Sequence, residues 1–105
     1  MKIEKAIAGT AATLKIIGRL DTTTAPELES TIDGCVAGIK EMVLDCSELE
    51  YVSSAGLRVI LKLRKEAPKL AIINVIPEVY EILDMTGFTD MITVEKAFRR
   101  LSLEG

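Results

Sequence analysis

The chain has 105 residues, 49% of them apolar, and a formal net charge of -3. That length suits one domain spanning residues 1–105, with a real core. No apolar run approaches the ~18–20 residues of a membrane span, and MKIEKAIAG is no secretory leader, so a soluble, cytoplasmic chain without a membrane contact is expected.

Lys2–Ala8 reads as a weak edge strand and Thr13–Ile17 as its partner, joined by a turn at Gly9-Thr10. Gly18-Arg19-Leu20-Asp21 leaves this hairpin. Thr24 and Glu27 have the spacing of a capping box, with Pro26 in the first helical turn, where it loses no needed hydrogen bond. Leu28, Ile32, Cys35 and Val36 recur at helical spacing. Gly34 weakens this helix, and Gly38 is the expected stop.

Met42–Leu44 is short and apolar throughout, as a strand buried on both faces would be. It ends at Asp45, and a polar loop is expected to follow. A second helix then begins near Ser53-Ser54. Leu57, Ile60, Leu61 and Arg64 lie along one side of it, and Val59 and Leu63 widen its apolar surface. Lys62, Arg64 and Lys65 suit its C-terminal end.

Leu70–Val75 reads as another buried strand. Pro77 starts a third helix, with Val79, Ile82 and Leu83 inward, and Gly87 ends it. Met91–Val94 is expected to be a last strand, and Glu95–Leu101 a terminal helix. The order β-β-α-β-α-β-α-β-α implies an α/β fold with a mixed, mostly parallel sheet.

Most enzymatic chemistry is excluded. The chain has no His, which removes Ser-His-Asp and Cys-His mechanisms. Cys35 and Cys46 are its two cysteines, too few for a zinc site and placed among apolar neighbours, as reduced core thiols are. SSAGL lacks the glycine of a nucleophile elbow, and no phosphate-binding P-loop is present. Asp21, Asp45, Glu48 and Glu50 lack a ligand spacing and read as solvated or capping groups. Tyr80, Phe88, Met85 and Met91 read as packing residues. With two Tyr, two Phe and interleaved charges, direct nucleic-acid binding is not expected. No cofactor is implied.

The serines remain. Ser53 is placed as the N-cap of the second helix, and Ser54 falls in its first turn beside small Ala55 and Gly56. Capping preference alone favours a plain helix cap. A phosphate there would add about -1.5 to -2 charge, which the positive helix end tolerates and a partner lying over it would not.

The run LDCSELEYVSSAGLRVIL resembles the signature of the STAS domain, the fold of bacterial anti-sigma factor antagonists. GRLDTTTAPELE is similar to that family's approach to its first helix, and IINVIPEVYEILDMTGF to a later strand–helix–Thr-Gly stretch. Together the three span Gly18 to Phe88. The resemblance implies a single STAS domain that binds an anti-sigma factor with serine kinase activity, is switched off by phosphorylation and is restored by a PP2C-type phosphatase. The motif places the phosphoacceptor at Ser54, with Ser53 as the alternative. Ser53 stands where the family often has Asp, and Ala55 where it often has a second Ser. The resemblance further implies a partner surface of Asp21, Thr22, Thr23, Ser53, Ser54, Gly56, Leu57 and Arg58. A STAS adaptor in a transport or sensory complex, without a serine cycle, is the competing expectation.

Overall fold

The computed structural model describes residues 1–97 apart from Val36 and Pro68. Strand β1 (Lys2–Ala8) pairs antiparallel with β2 (Ala11–Leu20) through the tight turn at Gly9, whose φ of 63° suits glycine. Helix α1 (Ala25–Cys35), β3 (Glu41–Val52), α2 (Ser54–Glu66), β4 (Lys69–Val75), α3 (Pro77–Met85), the short α4 (Phe88–Met91) and β5 (Thr93–Lys96) follow. The five strands lie in sequence order, and β2 to β5 are mutually parallel. Right-handed crossovers that always step to the next strand in the same direction place their helices on one face of the sheet.

The burial pattern agrees with a one-sided core. Ala12, Leu14, Ile16 and Leu20 of β2 and Leu70, Ile72 and Val75 of β4 are buried, while Thr13, Lys15, Ala71 and Ile73 between them are half-buried. The same holds in β3, where Val43 is half-buried between buried Met42 and Leu44, so this strand is not enclosed on both faces as expected. Leu28 and Ile32 of α1, Ile60 and Leu63 of α2, and Leu83 of α3 close the core from the helical side. Each such side chain taken fully out of water contributes about 1.5–3 kcal/mol.

The largest departure from expectation is β3. The segment after Asp45 is not a loop: the strand continues to Val52. Its register against β2 slips twice, between the pairs Lys15↔Asp45 and Ile17↔Glu48 and again between Gly18↔Leu49 and Arg19↔Tyr51. Each slip inserts one extra residue in β3, which is a β-bulge. Cys46, Leu49 and Val52 are consequently spaced by three, yet all return to the core face. Strand β2 also runs further than Thr13–Ile17, from Ala11 to Leu20.

Other corrections are smaller. No Thr24–Glu27 capping box forms; the Asp21 side chain organises the start of α1 instead, accepting from the backbone N–H groups of Thr23 and Thr24. Helix α1 passes through Gly34 to Cys35, and Gly38 turns with φ 80° just beyond. The buried stripe of α2 is Gly56, Val59, Ile60 and Leu63, with Leu57, Leu61 and Arg64 half-buried. Met91 closes α4 rather than opening a strand, and Glu95 and Lys96 belong to β5. Ala97 is not helical either, its N–H donating to the Val75 carbonyl, and the rest of the expected terminal helix (98–101) and Val36 lie outside the described residues. Met85 and Met91 are not core fillers; they are 79% and 41% exposed. Phe88 is buried and anchors α4, and Tyr80 is half-buried beneath Lys96, whose Nζ lies 4.6 Å from its ring centroid.

Candidate functional site

The parallel pairing of β2 and β3 builds the site. Leu20 and Val52 are register partners at the C-terminal ends of their strands, so the residues that follow them emerge side by side. Asp21 to Thr24 lead into α1, and Ser53-Ser54 lead into α2. The two segments are tied directly, since Ser53 N–H donates to the Leu20 carbonyl at 2.9 Å. In open parallel sheets this carboxyl edge is where ligands and partners are usually met.

The two helix starts are held differently. At α1, Asp21 Oδ1 accepts from Thr23 N–H at 3.0 Å, Thr23 Oγ1–H at 2.7 Å and Thr24 N–H at 3.1 Å. Thr24 Oγ1 in turn accepts from Asp21 N–H and donates to the Arg19 carbonyl, both at 2.8 Å. The Thr23 hydroxyl and the backbone N–H groups of Thr24 and Thr23 hold the Asp21 carboxyl below its ordinary range. At α2, Ser53 has extended backbone and is the N-cap, but its hydroxyl accepts from Gly56 N–H at a long 3.4 Å. The start of α2 is fixed mainly from beneath. Gly56 is buried, and a Cβ there would lie 2.6 Å from Leu20 Cγ and 2.9 Å from Val52 Cγ2. Only glycine lets the helix sit this low on the strand ends.

This arrangement sorts the expected site residues. Ser54 is exposed on the first residue of α2, while Ser53 is half-buried with its hydroxyl in the cap. Thr22, Thr23 and Arg58 are exposed, and Asp21 and Leu57 are half-buried. Gly56 is the exception: it faces inward, so it shapes the surface without presenting itself to a partner. Between α1 and α2 runs an open groove of about 420 Å³, lined by Thr22, Ala25, Pro26 and Glu29 on one side and Ala55, Arg58, Val59 and Lys62 on the other. Leu57 is not part of its lining.

Sequence reasoning missed several neighbours of this site. Lys62 reads from the sequence as a cation at a helix end. It bridges the groove instead, with Nζ 2.8 Å from Glu29 Oε2 and 3.4 Å from Asp33 Oδ1. The hydrogen bond it donates to Glu29 raises its pKa further above the ordinary lysine value, despite some opposing desolvation. Arg19 lies 4.5 Å from the centroid of the exposed Tyr51 ring, its register partner, one pair before Leu20 and Val52. Neither pairing has a signal in the sequence, because each joins residues about thirty positions apart.

Away from this edge, chemistry is sparse. No group of His, Cys, Asp and Glu among the described residues has the geometry to hold a metal ion. Cys35 and Cys46 are buried free thiols, and burial pushes the Cys46 thiol up to about 12, so it stays protonated. Burial alone would raise the Asp45 carboxyl. The Ser47 N–H and Asn74 Nδ2 donate to it, and Lys15 sits nearby; together they hold it below its ordinary value. No described helix is long and apolar enough to cross a membrane.

The family model of the STAS domain matches residues 2–101 of the chain. The chain belongs to the STAS family of anti-sigma factor antagonists. At the level of sequence it is 34% identical over 82 residues to BtrV of Bordetella bronchiseptica, assigned as an anti-sigma factor antagonist, covering 73% of this chain and 71% of that one. At the level of fold it is similar to an anti-sigma factor antagonist from Mycobacterium paratuberculosis, with a TM-score of 0.81, 21% identity and coverage of 90% and 84% of the two chains. It also resembles SpoIIAA. For the unphosphorylated form the TM-score is 0.78 at 13% identity, covering 98% of this chain and 94% of that one. For the phosphorylated form from Bacillus it is 0.70 at 12% identity, covering 98% and 97%. The STAS architecture expected from the sequence, a single α/β fold on a mostly parallel mixed sheet, is the one observed.

Proposed function

We propose that this STAS domain is an anti-sigma factor antagonist of a partner-switching pathway in the cytoplasm. Unmodified, it binds an anti-sigma factor that is also a serine kinase and so releases a sigma factor for transcription. The kinase moves the γ-phosphoryl group of ATP onto Ser54 Oγ, which ends the binding, and a PP2C-type phosphatase restores it. The domain acts by binding and contributes no catalysis of its own.

The observation that carries this reading is the unequal placement of the two serines. Ser53 is half-buried with its hydroxyl engaged at the helix cap, whereas Ser54 is exposed on the first residue of α2. A kinase needs an accessible hydroxyl, and Ser54 offers one. The dipole at the start of α2 favours the added negative charge, so modification leaves the fold standing. The existence of a phosphorylated form of SpoIIAA, a protein of the same fold, supports the same cycle. At the partner interface the new dianion meets groups arranged for a neutral hydroxyl, and a loss of ~1.4 kcal/mol already weakens binding tenfold.

The test is to incubate the protein with the switch kinase of its host and ATP and to map the product by mass spectrometry. Phosphate on Ser54 is expected. If neither Ser53 nor Ser54 is modified and the two proteins form no complex, the proposal fails. If partner binding survives Ser54→Asp unchanged, the domain is an adaptor without a serine cycle.

A further inference from the structure

We propose that Arg58 holds the phosphate of a modified Ser54 within the same helix, and so acts as a positioning residue for the switched-off state. This rests on the reading of Ser54 as phosphoacceptor and goes beyond it by naming the group that receives the charge.

Ser54 and Arg58 are four residues apart on α2, and both are exposed. Residues at this spacing are neighbours on a helix surface. Helical side chains lean toward the N-terminus, so the Arg58 guanidinium extends over the turn that carries Ser54, whereas the serine, at the helix end, cannot reach down to it. The planar fork of an arginine matches phosphate oxygens in two parallel hydrogen bonds.

The other cations of α2 are committed or remote. Lys62, one turn further along the same groove, is held by Glu29 and Asp33 of α1. Arg64 Nε donates to the Met91 carbonyl at 2.9 Å, and Lys65 lies in the last turn. Among the described residues Arg58 is in none of the ion pairs and in none of the side-chain hydrogen bonds. Unmodified, the surface of α2 therefore carries a guanidinium, unpaired among the described residues, one turn from a neutral, exposed serine. Phosphorylation gives that guanidinium an intramolecular partner and withdraws it from the surface, so one modification changes two groups that a partner would touch.

The experiment uses full-length protein with phosphoserine encoded genetically at position 54, which requires no kinase. The pH dependence of its phosphorus NMR shift at low salt gives the second pKa of the phosphate. In the otherwise native chain this value is expected about 0.3 unit below that of the Arg58→Gln variant. Lys62→Gln, which removes a cation of the same groove, should leave it at the native value. Helical circular dichroism checks that each variant is folded. Equal titration of the native and Arg58→Gln chains overturns the inference, as does a Lys62→Gln shift of the same size, which would mean a diffuse field and no specific pair. Because the phosphate is installed without a kinase, these outcomes are independent of whether a kinase modifies Ser54.

Discussion

Helices α1 and α2 start side by side at the same sheet edge and are secured in opposite ways. The start of α1 is knotted by polar groups: one carboxylate, two hydroxyls and three backbone N–H groups satisfy each other around Asp21. The start of α2 has one long hydrogen bond from Gly56 N–H to Ser53 and is secured by burial of Gly56 against Leu20 and Val52. A helix start held by its own polar cap is costly to modify, since new charge competes with the cap. One held from beneath leaves its outward first turn free. The contrast supports the proposal that the switch lies on α2 and not on the threonine-rich α1 start.

This contrast predicts a ranked set of effects. The largest belongs to Gly56→Ala. The added methyl meets Leu20 and Val52, both buried and unable to retreat, so despite the better helix propensity of Ala a loss of about 1–3 kcal/mol is expected in urea denaturation. A neutral or stabilising result would show that α2 is not seated by this contact. Asp21→Ala comes next and should destabilise more than Ser53→Ala, because it strips several hydrogen bonds from α1. Ser53→Ala removes a single long bond and should fall at the low end for a cap, about 0.5 kcal/mol. The reverse order would break the comparison.

Acid sharpens the same contrast. Asp21 and Asp45 both have carboxyl groups held below their ordinary value in the folded chain. Each contributes stability that is present above the unfolded value near 3.8 and is lost as pH falls through the lower folded value. Melting temperature should therefore drop as pH is lowered through that range. Asp21→Asn should flatten part of the drop, while Ser53→Ala, which does not titrate, should leave its shape unchanged.

What could be read from the sequence divides along physical lines. The hairpin, the three long helices and the strand at Leu70–Val75 follow from periodicity and turn residues, which are local. The second half of β3 did not follow, because two bulges break the alternation that marks a strand. Cys46, Leu49 and Val52 keep to the core face at a spacing of three. The Asp21 cap was hidden because it reaches α1 from four residues before Ala25 through an intervening turn, outside the capping-box spacing. Capping preference put Ser53 at the N-cap and Ser54 in the first turn of α2, and both positions are observed. The groove itself, with Lys62 reaching Glu29 and Asp33, exists only once β2 and β3 set the two helices side by side.

The smallest expected effect on stability carries the largest expected effect on binding. Ser54 points outward and caps nothing among the described residues, so a phosphate there should move the urea midpoint little. The most direct measurement is calorimetric titration of the cognate anti-sigma factor with native protein and with protein carrying encoded phosphoserine at position 54. Affinity is predicted to fall at least about tenfold on phosphorylation, with both proteins equally folded. Equal affinities would contradict the claim that the exposed start of α2 is the switch.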